Sequence, residues 1–338
     1  MTTAVWPAAT REPLVAGFDL VMLDLDGVVY VGPDAVPGAA DAIARVRTAG
    51  VPVAYVTNNA SRTALEVAKH LTELGMPGVS EVDVVTAAQA VARLVAEAVP
   101  AGATVLVVGG RGLHEPLAGH GLRCVDAFDD QVAAVVQGYH PDVGWRDLAE
   151  ASYAVQAGVP WFASNLDLTV PTPRGIAPGN GALVQVVRAA TGAEPVVAGK
   201  PERALFDETT GRLGSERPLM VGDRPDTDID GAIGRDIASL LVLTGVATLR
   251  DAAALPSGHR PTFVAPDLGG LHAPHPPVTV EAGSARCGRA EATLDRGTVV
   301  LTAGETGTVE AVRAVLGLAW STADRTGRAP ALDGTLDG

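Results

Sequence analysis

The stretch FDLVMLDLDG, Phe18 to Gly27, is an apolar run that stops on an acid pair and a glycine. Residues 18–23 read as a strand buried on both faces. Strand side chains alternate, so Asp24 and Asp26 point to one side with Leu25 turned away, and Gly27 permits a sharp turn. An isolated DxDG is most simply a solvated Asx-turn. What decides the fold is that the pattern recurs. Val-, Leu- and Ile-rich runs return at 51–56, 104–108, 132–136, 159–163, 195–198, 218–221 and 239–243. Helical patterns lie between them at 35–49, 61–74, 87–98, 143–157, 181–190 and 202–213. Continuous apolar strands alternating with helices predict an α/β protein with a doubly wound parallel sheet.

The 338 residues exceed one ordinary core, so two or three domains are expected. With 47% hydrophobic residues the chain is not a disordered one, and its apolar runs are of strand length, too short to span a membrane. No basic start followed by an apolar stretch opens residues 1–17, which points to the cytoplasm. There are 39 acids against 25 bases, a net charge of −14, which argues against nucleic acid and anionic membrane as partners. Of the bases, 23 are Arg, leaving only Lys69 and Lys200. Cys124 and Cys287 fit no metal spacing and read as reduced thiols.

In open α/β sheets ligands bind beyond the carboxyl ends of strands. The second run ends in Thr57-Asn58-Asn59, which suits an anion or, equally, caps the helix that follows. The run at 196–199 delivers Lys200, whereas Lys69 sits mid-helix among polar residues. The run at 219–222 leads into Asp223 and then RPDTDID, 224–230, four carboxylates in eight residues. Asp226, Asp228, Asp230 and Gly231 imitate the opening of an EF-hand loop. The position that needs a bidentate Glu is Ile237, and a strand precedes the loop, so calcium is excluded. If Asp24, Asp26 and Asp223 converge, they repel unless compensated, by Lys200 and a Mg²⁺.

The ordered set DLDGVVY (24–30), TNNASR (57–62), GKP (199–201) and GDRPDTDI (222–229) resembles the haloacid dehalogenase superfamily, in its NagD-like class IIA branch of phosphatases. The resemblance covers roughly residues 15–270. It implies a Rossmann-like core, a large inserted α/β cap and Mg²⁺-dependent hydrolysis of a phosphate monoester. Asp24 would be the nucleophile and Asp26 the general acid and base. Thr57 and the Asn58 backbone, with Asn59 beside them, would hold the phosphoryl group, and Lys200 would neutralise charge. The Asp24 carboxylate, the Asp26 carbonyl and Asp223, with Asp228 in or near the coordination shell, would hold the metal. Asp226 and Asp230 are left solvated or structural.

Thr57 and Lys200 are 143 positions apart, whereas one crossover helix needs about 30 residues. An insertion with its own strand–helix pattern fills the difference. The expected domains are a core at 1–83 and 181–270, a cap at 84–180 and a C-terminal α+β extension at 271–338. Hinges are expected at 85–88 and 178–181, where the alternative is a plain turn and helix cap. Within the cap, NLDLTVPTPRG (165–175) falls where the branch has its substrate-specificity loop, with Asp167 and Arg174 as candidate selectors. The segment 84–178 carries 5 Arg and 9 acids, which disfavours polyanions and leaves a small phosphate ester.

The GGRG at 109–112 lacks the third glycine of a dinucleotide fingerprint. His272 and His275, in the Pro-rich linker 273–277, have no third metal ligand in range. The extension reads as a small appendage, marginal alone, with its last ten residues frayed. The whole chain is similar to actinobacterial glycerol 3-phosphate phosphatases, which makes that ester the leading expectation. Nucleoside monophosphates, pyridoxal phosphate and phosphoglycolate are alternatives with the same chemistry. A receiver-like protein is disfavoured by Asp26, an acid–base two residues after the nucleophile; a phosphate-binding regulatory protein that keeps the phosphatase fold, with the tail as its interaction module, is the third alternative. The resemblance also leaves room for a homodimer.

Overall fold

The computed structural model describes residues 7–172 and 174–336. Pro173, in the expected specificity loop, lies outside the described residues, as do 1–6 at the start of the chain. Packing divides the chain into two units: Met1–Ala54, Leu74–Pro77 and Ser215–Gly338 form one, Tyr55–Glu73 and Gly78–Gly214 the other.

The first unit is built on β1 (Leu20–Leu23), β13 (Pro218–Gly222), β14 (Ala238–Val242) and β15 (Phe263–Ala265). They lie in the order β15, β14, β13, β1, all parallel. Every residue of β1 is buried, as a run without polar alternation requires. Each such Leu or Val side chain removed from water stabilises the fold by about 1.5–3 kcal/mol. After β1 the chain makes a small hairpin, β2 (Tyr30–Val31) with β3 (Asp34–Ala35). The strand β4 (Val53–Thr57) starts beside β1, where Val21 N–H donates to the Pro52 carbonyl at 3.0 Å.

The extension corrects an expectation. Strands β16 (Val278–Glu281), β17 (Ser284–Cys287), β18 (Ala290–Asp295) and β19 (Thr298–Ala303) form an antiparallel meander. The described residues up to Leu336 are not frayed: β20 (Ala331–Leu332) pairs in parallel with β19, and a short turn of helix, Gly334–Leu336, follows. The segment does not pack by itself. The helix Val309–Thr326, capped by Thr308, buries Ala314, Leu318 and Trp320 in one cluster with Leu241, Leu249, Ala252 and Val264 of the sheet unit. The indole Nε1 of Trp320 donates to the Ala252 carbonyl at 2.9 Å. Arg260 lies 5.2 Å above the Trp320 ring and grips Asp324 with two bonds of 2.8 and 2.7 Å.

The linker is pinned at one buried residue, His275. Arg313 and His275 are both fully buried. Arg313 donates to the carbonyls of Pro7, Ala8 and Pro276, and to His275 Nδ1. His275 Nε2 meets the Gly270 carbonyl at 3.0 Å. Burial, with the Arg313 charge adding to it against the Gly270 hydrogen bond, pushes the His275 pKa down to about 4. Cys124 and Cys287 are free thiols, and no described helix is long and apolar enough to cross a membrane.

In the second unit the last residues of β4 pair in parallel with β5 (Val84–Thr86), Thr57 opposite Thr86. A separate parallel sheet holds β6 (Thr104–Val108), β7 (Arg123–Val125), β8 (Val132–Gln137), β9 (Trp161–Ala163) and β12 (Val196–Val197). The order is β12, β9, β8, β6, β7, another doubly wound arrangement. Leu106, Val108, Val135 and Trp161 pack there against Leu148, Ala151 and Val155 of the helix Trp145–Gln156 and Val184 and Val187 of the helix Asn180–Thr191. Between β9 and that last helix stands an antiparallel hairpin, β10 (Thr169–Thr172) with β11 (Gly175–Pro178).

The run leading to Lys200 was expected among the core strands. It pairs instead with β9 as a two-residue edge strand, with Val196 exposed on that edge. The helix Arg111–Gly119 escaped the sequence reading because Pro116 interrupts its pattern. Strand β7 escaped because it is short and half-exposed.

Candidate active site

In the first unit, β1 and β13 run side by side and deliver acids from neighbouring carboxyl ends. Asp24 N–H donates to the Val221 carbonyl at 2.9 Å, which sets Asp24 beside the end of β13. One carboxylate oxygen each of Asp24, Asp223 and Asp228 lies within 4.8 Å of the others. Asp223 and Asp228 are fully buried and Asp24 partly so. Three carboxylates that close repel strongly, so the arrangement calls for a cation.

The surrounding backbone is shaped to these acids. Gly27, at φ +83°, and Gly245 both face Asp223, and a Cβ on either would run into its carboxylate. Val246 N–H donates to Asp223 Oδ2 at 2.6 Å, and Arg224 N–H to Asp228 Oδ2 at 3.1 Å. A Cβ on Gly222 would occupy the place of the Asp228 side chain. Each of these backbone N–H groups orients the carboxylate it donates to. Three hard oxygen donors in a fixed cradle suit a small divalent ion such as Mg²⁺.

The other predicted acids divide. Asp26 is exposed, its carboxylate outside the cluster, and Gly27 N–H donates back to the Tyr30 carbonyl at 2.8 Å to make the turn that presents it. Asp226 is gripped by the Arg224 guanidinium at 3.1 and 2.7 Å, and Asp230 meets His259 Nδ1 at 2.8 Å. Of the four acids of 223–230, only Asp223 and Asp228 join Asp24.

In the second unit Thr57 is buried at the end of β4. The helix that follows, Ala64–Glu73, is closed by a capping box of Thr63 and Glu66 rather than by Thr57 or Ser61. The Thr57–Asn59 turn is therefore not the helix cap. Asn59 Oδ1 accepts from both the backbone and the hydroxyl of Ser61, at 2.8 and 2.7 Å, so its side chain shapes the loop. Lys200 is buried, with Nζ 3.3 Å from the Val56 carbonyl. The Asn58 amide holds the Lys200 backbone on both sides: Oδ1 accepts its N–H at 2.7 Å and Nδ2 donates to its carbonyl at 3.0 Å.

Asp167 lies beside Asn58, its carboxylate accepting from Nδ2 at 3.2 Å. Arg174 is exposed at the turn of the β10–β11 hairpin. Gly179 and Gly181, expected as hinge residues, are placed by packing, because a Cβ on them would strike the Asp167 and Leu166 carbonyls.

Sequence reasoning missed Asn165 and Asn180, which join this network, and the Gly245–Val246 turn that cradles Asp223. Asn165 and Asn180 begin and follow the loop that was singled out. Nothing local marks the turn after β14.

A family profile for haloacid dehalogenase-like hydrolases matches residues 21–123, and a second haloacid dehalogenase-like hydrolase profile matches 197–271. The D-glycerol 3-phosphate phosphatase of Mycobacterium tuberculosis is 46% identical over 273 residues, 78% of this chain and 76% of that one. An acid sugar phosphatase of Staphylococcus saprophyticus is 39% identical over 67% of this chain and 87% of its own. Among solved structures, the magnesium complex of the M. tuberculosis glycerol phosphate phosphatase superposes with a TM-score of 0.79 at 41% identity, covering 90% of this chain and 92% of that one. The p-nitrophenyl phosphatase of Archaeoglobus fulgidus gives 0.69 at 28% identity, covering 75% and 98%. With the acid cluster, the motif order and these relatives in agreement, the chain belongs to the haloacid dehalogenase-like hydrolases, among their NagD-like phosphatases.

Proposed function

We propose that the chain is a Mg²⁺-dependent phosphatase of a small phosphate monoester, with glycerol 3-phosphate as the ester it takes best. The observation that carries the hydrolytic reading is the convergence of Asp24, Asp223 and Asp228. In this reading Asp24 attacks phosphorus in line, the alcohol leaves, and the phosphoryl group rests on the Asp24 carboxylate. Asp26, exposed beside it, protonates the departing alkoxide and then takes a proton from the water that frees phosphate and regenerates Asp24. The Thr57 hydroxyl and the Asn58 N–H hold phosphoryl oxygens, while Asn59 fixes the turn that presents them. Lys200 neutralises charge that builds up during transfer.

Asp24, the Asp26 carbonyl and Asp223 would hold the Mg²⁺, with Asp228 beside them, and it would supply positive charge against the carboxylates and the phosphoryl group. The segment 165–175 selects the leaving group, with Arg174 the cation at its tip and Asp167 tying it to Asn58. The glycerol 3-phosphate assignment is supported by the M. tuberculosis relative's activity and by likeness over 90% of the chain.

The test is phosphate release with Mg²⁺ from a panel of esters, wild type against Asp24→Asn. Loss of at least about 10³-fold in the variant is expected, since removing a nucleophile leaves only binding and charge effects. Equal, slow release by both proteins would end the hydrolytic reading. Faster release from a nucleotide or pyridoxal phosphate than from glycerol 3-phosphate would end the substrate assignment alone.

A further inference from the structure

One amide in the second unit joins pieces of chain far apart in sequence. Asn58 Oδ1 accepts the Lys200 N–H at 2.7 Å, and Nδ2 donates to the Lys200 carbonyl at 3.0 Å and to the Asp167 carboxylate at 3.2 and 3.5 Å. The Asn58 carbonyl accepts from Asn165 Nδ2 at 2.7 Å. Asn165 Oδ1 in turn accepts the Asp167 N–H at 3.1 Å, and its carbonyl accepts from Asn180 Nδ2 at 2.8 Å. Asn180 is the first residue of the helix Asn180–Thr191.

Two glycines make the approach possible. A Cβ on Gly199 would sit 2.6 Å from the Ser164 carbonyl oxygen and 2.7 Å from Asn58 Oδ1, and one on Gly181 would strike the Leu166 carbonyl. Asn165, Asn180 and Lys200 are all buried. There, an unmade hydrogen bond costs its full desolvation penalty. Asn58 offers an acceptor and two donor hydrogens, and all three are used. An Asp at 58 has the same shape and no donor.

We propose that Asn58 and Asp167 are positioning residues for Lys200. They lock its backbone when the segment 165–181 is seated, so the loop assigned to the leaving group also sets the ammonium that serves the phosphoryl group. This rests on the phosphatase reading above. Asp167 acts through Asn58 rather than by touching the ester, so its removal lowers kcat and leaves KM nearly alone.

A swap tests this. Asn58→Asp turns a carboxylate oxygen toward the Lys200 carbonyl and toward Asp167. Adding Asp167→Asn returns an N–H donor to the pair, whereas adding Asp167→Ala removes the charge and returns none. Two readouts are taken: kcat and KM for p-nitrophenyl phosphate, and amide hydrogen exchange of the peptide containing Lys200 in the substrate-free protein.

In Asn58→Asp, kcat falls about 100-fold with KM changed less than about threefold, the signature of a group that acts on the transition state alone. Exchange at Lys200 quickens. Asn58→Asp/Asp167→Asn recovers about tenfold in kcat, one charge-assisted hydrogen bond's worth, and slows exchange again, while Asn58→Asp/Asp167→Ala does neither. Equal rescue by Asn and Ala overturns the proposal, because charge alone would then explain the loss. A change confined to KM in Asp167→Ala overturns it too, since Asp167 would then touch the ester.

Should the wild type release no more phosphate than Asp24→Asn, the phosphatase reading fails, and the exchange pattern still decides whether the lock exists. Unaltered exchange in an active enzyme defeats the lock alone. Should Asn58→Asp fail to fold, Asp167→Asn against Asp167→Ala decides: exchange at Lys200 is faster in the Ala variant if the lock exists, and equal in both if it does not.

Discussion

Replacing Gly245 by Ala adds one methyl group at the point where the acid cradle is tightest. A Cβ there overlaps Asp223 Oδ2 and stands 2.6 Å from both Asp223 Cγ and Gly27 Cα. Neither neighbour can step aside freely: Asp223 is fully buried, and Thr244 Oγ1 ties the Gly27 carbonyl at 2.6 Å. The carboxylate must therefore tilt, which lengthens its 2.6 Å bond from Val246 N–H. Overpacking of this kind costs about 1–3 kcal/mol, and a charge-assisted hydrogen bond is worth about 1.5–3 kcal/mol. If half of the combined cost falls on the metal-bound form, Mg²⁺ binding weakens by about 10–100-fold, at 1.4 kcal/mol per tenfold.

The assay is a calorimetric Mg²⁺ titration together with the Mg²⁺ dependence of phosphate release. Gly258→Ala serves as control, since a Cβ there meets nothing within 4 Å. The expected result is a raised half-saturating Mg²⁺ concentration, with activity partly restored at high Mg²⁺. A Gly245→Ala protein that melts normally and binds Mg²⁺ within about threefold of wild type would refute the reasoning, because the overlap would have been relieved away from Asp223.

Two further outcomes are expected. His275 stays neutral in the fold down to about pH 4, whereas in the unfolded chain it titrates near 6.5. Between those values the unfolded chain binds a proton that the fold refuses. The associated stability is intact above pH 6.5 and drains as pH falls, by about 2 kcal/mol at pH 5 and about 3 kcal/mol by pH 4. Urea unfolding at pH 7.5 and pH 5 should show this loss in the wild type, and a flatter difference in His275→Gln; identical slopes would mean that His275 is not the group. Trp320→Ala should cost about 3–5 kcal/mol in a single transition, since Trp320 shares one core with Ala252 and Val264. A tail that melts separately while the main transition stays put would contradict that shared core.

Strand periodicity and the residues at strand ends were legible without coordinates, because both are local. The unbroken apolar run of β1 and the polar punctuation after β1, β4 and β13 depend on a few neighbouring side chains. So does the presence of a lysine just beyond β12. The order of these signals along the chain was enough to identify the hydrolase family and to pick Asp24 and Asp223. The tail shows the opposite case. Its α+β class was expected, yet its docking depends on Trp320 reaching Ala252 and Arg313 reaching Pro7 and Ala8, contacts between residues remote in sequence.

By itself, then, the sequence determined an α/β chain with a phosphatase's motif order, because hydrophobic period and strand-end chemistry are properties of short windows. The family resemblance had already set Asp228 apart from Asp226 and Asp230, but the contacts that make the difference are tertiary. Asp226 and Asp230 resemble Asp228 in sequence, but Arg224 and His259 engage them while Asp228 turns in under Gly222. The sheet that receives β12 and the link from Asn58 to Asp167 were decided in the same way. A hydrogen bond across 109 positions leaves no periodic trace, and it forms only where two backbones, freed by glycine, come close enough to share one amide.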